Sequence, residues 1–135
     1  MQKRVLVPLG PCARDLKSVH YALSLAERLK AQVYILQQPA SPGAGGPHSI
    51  WLDEVLLDLI NSARLAHLTV SHHIADGDLQ GEILALVKSE GIDLLIFGEE
   101  DEACQNLLLQ LKPLVPCQII QVKEKDHIDK IAKEG

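Results

Sequence analysis

Aromatic residues are scarce in this chain of 135 residues, where Trp, Phe and Tyr together make up 3%. The apolar fraction is nevertheless 47%, so the core must be built from Leu, Ile, Val and Ala. Long apolar runs are missing too, which excludes a membrane-spanning helix, since such a helix needs about 20 consecutive apolar residues. The length suits one domain around a single core.

Cysteine and clustered positive charge are equally sparse. Cys12, Cys104 and Cys117 are widely spaced and form no Cys-x-x-Cys pair, so the pattern indicates free thiols. No signal peptide is recognisable, and we expect a cytoplasmic location. The net charge is −5, and 13 of the 18 acidic residues fall in residues 68–135. That balance argues against nucleic acid as a partner, because binding to its phosphates needs clustered Lys and Arg.

Strand-like and helix-like segments alternate along the whole chain. The helical segments repeat apolar residues at three- and four-residue steps, and the strand segments are short runs rich in Val, Ile and Leu. This alternation predicts a three-layer α/β/α fold, in which four helices cover a doubly wound, parallel sheet of five strands. Strands are predicted at 4–9, 32–36, 68–74, 93–97 and 117–122, and helices at 14–30, 49–67, 79–90 and 102–112.

The residues between these segments predict where loops and helix ends lie. Residues 39–47 hold three Pro and three Gly, which predicts a surface loop. Asp78 is placed to cap the helix 79–90, and Gly91 is placed to end it in the left-handed conformation. We expect one domain over residues 1–123 and a charged tail over 124–135, with a helical turn around Ile128 and Ile131.

Four segments resemble the universal stress protein family. Residues 77–84 and 91–98 are similar to its third helix and fourth strand, where the family pattern is Gly-Asp/Glu-Pro, a helix and then Asp-Leu-Ile-Val-Met-Gly. Residues 4–9 resemble its first strand, and residues 115–122 resemble its closing Ala-Pro-Cys-Pro-Val-Leu-Val-Val. The resemblance covers residues 3–122. It implies a Rossmann-like sheet of strand order 3-2-1-4-5, like that of the adenine nucleotide alpha hydrolases, and a role in stress response.

The resemblance also implies a choice between two branches of that family. ATP-binding members carry Gly-x-x-Gly, about nine residues, and Gly-Ser or Gly-Thr after the fourth strand, because glycines let the backbone approach the phosphates. In this chain Gly98 is followed by the acidic residues 99–102, and no further glycine occurs before Gly135. We therefore expect a regulatory, non-enzymatic domain that binds no ATP or other cofactor and acts through contact with a protein partner whose identity is unknown.

Two alternatives stay open at this stage. A nucleotide sensor would hold ATP or AMP in a non-standard site at the carboxyl ends of strands 1 and 4. The residues placed for that site are Pro8, Leu9, Gly10, Gln38, Gly98 and Glu99. A nucleotide hydrolase would need a catalytic base or a metal cluster, and the sequence shows neither.

The remaining polar candidates are better explained by structure than by metal binding. His72 and His73 are adjacent on a predicted strand, so their side chains point to opposite faces and cannot bind one metal ion. Asp76 and Asp78 flank Gly77 and fit a turn followed by a helix cap. We expect no metal site.

The last predicted strand is a candidate interface. It contains no Pro or Lys, the residues that commonly block pairing at a sheet edge. Members of the resembled family commonly dimerise through this strand, so the resemblance implies a homodimer through Cys117–Val122. Neither a membrane nor nucleic acid is expected as a partner.

Overall fold

The computed structural model describes residues 3–9, 16–38, 46–76, 78–98, 102–122 and 128–130, which form one sheet with helices on both faces. The strands are β1 (Arg4–Leu9), β2 (Gln32–Gln37), β3 (Thr69–Ile74), β4 (Leu94–Gly98), β5 (Gln118–Val122) and β6 (Ile128–Lys130). The helices are α1 (Lys17–Leu29), α2 (Gly46–Leu65), α3 (Leu79–Glu90) and α4 (Glu102–Leu111). No helix in these ranges is both long and apolar enough to cross a bilayer.

The sheet confirms the predicted strand order. Five parallel strands lie in the order β3-β2-β1-β4-β5, and β6 is added antiparallel beside β5. The direction of winding reverses between β1 and β4, which are adjacent in the sheet but far apart in sequence. In parallel sheets this reversal point is where ligands bind, beyond the carboxyl ends of the strands.

Alternation along the strands divides the core into two apolar layers. Val5, Val7 and Leu9 of β1 pack with residues of α1 and α2, whereas Leu6 packs with residues of α3 and α4. Both layers are mainly aliphatic, as the composition predicts. Among the described residues the buried aromatic side chains are Tyr34 and Phe97, both in the layer under α3 and α4.

Helix α3 has the two ends that its sequence predicts. The Asp78 side chain accepts a hydrogen bond from the Gly81 N–H at 3.1 Å. Gly91 ends the helix with φ +64°, in the left-handed region that glycine adopts without a Cβ penalty. The two caps fix the length of α3, and Gly91 returns the chain towards β4.

Helix α2 begins earlier than predicted. Gly46 and Pro47 belong to the helix rather than to the loop, of which residues 39–45 lie outside the described ranges. Proline is tolerated in a first helical turn because its missing N–H would have no acceptor within the helix there.

The predicted helical turn around Ile128 is wrong, because Ile128 begins β6; Ile131 lies outside the described ranges. Strand β6 pairs with β5 at Ile120↔Lys130, Gln121↔Asp129 and Val122↔Ile128. An extended conformation is favoured because β5 would otherwise present a row of unpaired backbone groups. Three residues of the predicted tail therefore join the sheet, and the outer side of β5 contacts its own chain. The domain boundary at residue 123 and the homodimer both stay predictions.

Candidate functional site

The hydrogen-bonded pairing of β1 with β4 ends before the two strands do. They pair only at Val5↔Leu94 and Leu6↔Leu95, whereas β1 pairs with β2 along its whole length, from Arg4↔Gln32 to Leu9↔Gln37. The last residues of β1 and β4 are thus not paired with each other, and we call this place at the reversal point of the sheet the crevice.

Pro8 provides a physical reason for the early end of this pairing. Arg4 accepts a hydrogen bond from the Asp93 N–H, and Leu9 accepts one from the Gln38 N–H, both at 2.8 Å. Successive residues of a strand direct their backbone groups to opposite neighbours, so the even-numbered residues of β1 face β4. Pro8 is one of them and has no N–H to donate, so the ladder between β1 and β4 cannot continue through it.

Four of the six residues predicted for a nucleotide site lie at this edge. Pro8 and Leu9 end β1, Gln38 directly follows β2, and Gly98 ends β4, where it pairs with Val122. The Leu9 side chain is only 3% exposed and packs in the core, so only the backbone of Leu9 is near the edge. Gly10 and Glu99 lie outside the described ranges.

Acidic residues follow β4 directly in the sequence. Helix α4 begins at Glu102, directly after the acidic run Glu99–Asp101, which lies outside the described ranges. Acidic residues stabilise a helix N-terminus and oppose the binding of an anion at the same place. The sequence has no Lys or Arg between Lys88 and Lys112, although α1 begins with Lys17 at the same end of the sheet. A single carboxylate a few ångströms from a phosphate costs about 1 kcal/mol in water, and four cost correspondingly more.

A hydrogen-bonded chain that sequence reasoning missed joins β2, β3 and α2. The Gln37 side-chain amide donates to Asp53 Oδ1 at 2.6 Å, and Gln37 Oε1 lies 2.9 Å from His72 Nε2. Because Gln37 presents its oxygen to the ring, His72 Nε2 carries the hydrogen and donates it. No local pattern in the sequence indicates this contact, since its three residues come from three separate elements.

The surroundings of His72 favour its neutral form. Burial lowers the pKa of its imidazole, the nearby Arg64 and His73 lower the pKa further, and Asp53 opposes the shift. His73 lies on the opposite face of β3, as predicted, with its ring stacked on Tyr34 at a centroid distance of 6.1 Å. The buried Nε2 of His73 makes no hydrogen bond. The two histidines therefore do not share a ligand.

A second polar cluster, at the amino ends of the strands, fastens α3 to the sheet. The Arg4 backbone N–H donates to Asp93 Oδ2 at 3.0 Å, and the Arg4 guanidinium donates to the Glu90 carbonyl at the end of α3. The Tyr34 hydroxyl lies 3.2 Å from Glu90 Oε1. Burial and then the bond to Glu90 raise the pKa of Tyr34. Every member has a structural partner, so this cluster is an anchor rather than a reactive site.

A groove of about 530 Å³ lies near the start of β5, at the opposite end of the sheet from the crevice. Leu109 and Leu114 are 62% and 54% exposed beside it. Cys117 lines the groove as a free thiol, and burial raises its pKa, which makes it a poor nucleophile. The other lining residues are Lys112, Pro113, Val115, Pro116 and Gln118.

Metal chemistry finds no support in the part of the chain that the structure describes. No group of three or more His, Cys, Asp or Glu side chains there could hold an ion. Asp78 is engaged as the cap of α3, and His72 and His73 lie on opposite faces of the sheet.

Comparison with known proteins identifies a family and a set of similar folds. The model of the universal stress protein family matches residues 1–110. UspA from Lactobacillus plantarum is 18% identical, with a TM-score of 0.59 over 88% of this chain and 96% of that one. The universal stress protein from Archaeoglobus fulgidus in complex with dAMP is 11% identical, with a TM-score of 0.59 over 90% of this chain and 97% of that one.

A universal stress protein family protein from Arabidopsis thaliana with AMP bound is 15% identical, with a TM-score of 0.56 over 90% of each chain. At these identities the likeness shows the fold alone. A comparison with curated protein sequences finds no match. The family model nevertheless covers most of the chain, and the strand order agrees with it. The chain belongs to the universal stress protein family.

Proposed function

We propose that this universal stress protein domain is a regulatory module of the stress response that acts through protein contact and does not bind ATP. The observation that supports the proposal most directly is the end of β4. There the strand passes from Gly98 into four acidic residues at the start of α4. A triphosphate needs backbone N–H groups and positive charge at that place.

The other groups at the crevice do little to offset the repulsion between the acidic residues and a phosphate. The Leu9 side chain is buried, and the N–H of Gln38 is already bonded to Leu9. Glycine is absent from residues 99–134, so the backbone has no position there that is free of a Cβ. The crevice between β1 and β4 has the position of a ligand site without the groups that bind a triphosphate.

The described residues also lack the groups of a hydrolase. They include no metal cluster, and His72 is committed to Gln37. We therefore propose a non-enzymatic role and, given the free thiol of Cys117, a cytoplasmic location. Self-association through β5, as a homodimer, is the protein contact that this proposal includes.

A nucleotide sensor is the second candidate function. Two observations favour it: the pairing of β1 with β4 ends early at the reversal point of the sheet, and two structurally similar proteins are described with AMP and with dAMP. A monophosphate would meet less repulsion from the acidic run than a triphosphate, because it carries less charge.

Thermal-shift titration separates these functions. We expect no saturable rise in melting temperature with ATP and Mg²⁺, AMP or dAMP up to about 1 mM, where a ligand with a Kd near 10 μM would stabilise by about 2.7 kcal/mol. A saturable shift with AMP or dAMP alone would favour the sensor. A shift with ATP would contradict the proposal, and turnover of ATP would identify a hydrolase.

The triple variant Glu99→Gln, Glu100→Gln, Asp101→Asn tests the physical reason. If charge alone closes the crevice, this variant binds nucleotide where the parent chain does not. If the missing glycines also matter, neither protein shows a saturable rise in melting temperature.

A further inference from the structure

Strand β6 pairs antiparallel with the outer side of β5. It has three residues, and its described pairing with the five residues of β5 ends at Ile120↔Lys130. Gln118 donates its N–H to Asp93 on the β4 side at 3.3 Å. Because backbone groups alternate along a strand, Ile119 and Gln121 direct theirs to the outer side. Asp129, which stands opposite Gln121, is therefore the residue of β6 whose backbone bonds to β5.

A second copy of β5 is an alternative partner for the same edge. Two β5 strands placed antiparallel about Ile120 set Gln118 against Val122 and Ile119 against Gln121, so all five residues of each strand are paired. The outward backbone groups of Ile119 and Gln121 then meet each other, which is the hydrogen-bonded arrangement of an antiparallel ladder. Strand β5 carries no charged residue, whereas β6 includes Asp129 and Lys130.

We propose that β6 is a displaceable cover that competes with a second copy of this chain for the edge of β5. The inference rests on the self-association included in the proposed function and adds how that contact is controlled. Five residues separate Val122 from Ile128, and so short a connection gives β6 an effective concentration of about millimolar. The intramolecular pairing therefore dominates at micromolar protein, and the dimer forms when β6 is weakened or the protein is concentrated.

The variant Asp129→Pro tests the cover. Proline removes the N–H that Asp129 directs to Gln121 and leaves β5 unchanged. The matched control Asp129→Ala removes the charge and keeps the N–H. In sedimentation velocity at about 10 μM, where a millimolar effective concentration favours β6 about a hundredfold, we expect monomers for the parent chain and the control and a dimer for Asp129→Pro. A folded Asp129→Pro that stays monomeric overturns the proposal.

Amide hydrogen exchange of the parent chain tests the displacement of β6 without any variant. As concentration rises towards millimolar and dimer appears, the Asp129 amide should lose protection while the Gln121 amide keeps it. A dimer in which Asp129 stays protected refutes the cover but leaves self-association intact. Absence of dimer from the parent chain at every concentration and from Asp129→Pro refutes both.

Discussion

At the scale of single residues, His72 carries the clearest consequence for stability. Burial first, and Arg64 second, lower the pKa of His72 in the folded protein. An unfolded histidine titrates near pH 6.5, so the pKa in the unfolded state is the higher of the two. Between these two pKa values the unfolded state binds more protons. Stability is therefore complete above about pH 6.5 and falls as the pH is lowered through that value.

Replacement of His72 by Gln should remove part of this dependence. Glutamine can donate from its amide to Gln37 Oε1 as Nε2 does, but it does not titrate. We expect the urea midpoint of the parent chain to fall between pH 7.5 and about pH 5.5, and that of His72→Gln to fall less. His20→Gln, at an exposed position of α1, serves as the control and should retain the parental slope. Equal slopes for His72→Gln and the parent chain would refute the assignment.

Asp78 gives a second prediction at this scale. Its carboxylate satisfies the Gly81 N–H at the start of α3, and truncation of such a cap costs about 1 kcal/mol. Asp78→Ala should lower the free energy of unfolding by that amount in a denaturant titration. Asp76→Ala, in the same exposed turn but outside the helix, should change it little. A cost as large for Asp76 as for Asp78 would show that general charge, rather than capping, is responsible.

At the scale of elements, the other edge of the sheet is protected by a side chain. The odd-numbered residues of β3 face β2, since Ala75 donates to the Gln37 carbonyl, so the Val70 carbonyl faces outward. Arg64, near the end of α2, donates to that carbonyl from Nε at 3.1 Å and from Nη2 at 2.9 Å. An edge carbonyl that is already bonded cannot pair with another chain.

Arg64→Ala should open this edge. We expect a loss of about 1 kcal/mol in the free energy of unfolding, as for one typical hydrogen bond, and faster concentration-dependent aggregation on warming. Arg28→Ala, at an exposed position in the last turn of α1, is the matched control because it removes the same charge without touching a strand. Light scattering compares the two, and equal aggregation would mean that charge alone matters.

Some helices and strands follow from patterns in the sequence, and others do not. The caps of α3 and the strand order follow from local patterns and from the resemblance to a family, because Asp78, Gly91 and the apolar strands act on their immediate neighbours. Strand β6 was missed because Ile128–Lys130 has too little apolar character to indicate a strand alone; it is extended because β5 lies beside it. The bond between His72 and Gln37 joins separate elements and has no signature in either segment. Pro8 was visible, but its effect on the crevice depends on which neighbour its nitrogen faces.

At the scale of the whole molecule, the two ends of the sheet differ in chemistry. At the carboxyl end, the pairing of β1 with β4 stops at Leu6↔Leu95, and the acidic residues 99–102 follow β4 directly in the sequence. The amino end has the groove beside Cys117, with Leu109 and Leu114 exposed near it. The molecule thus keeps the family's architecture, and the function we propose for it rests on the acidic residues that follow β4 in the sequence.

Native mass spectrometry of the full chain with ATP and Mg²⁺ tests this central claim most directly. One spectrum reports both the bound nucleotide and the number of chains. We expect species without nucleotide at about 1 mM ATP, where a ligand of 10 μM affinity would occupy nearly every molecule. A spectrum in which each chain carries one ATP, and loses it when unlabelled ATP is exchanged for a heavier analogue, would contradict the account.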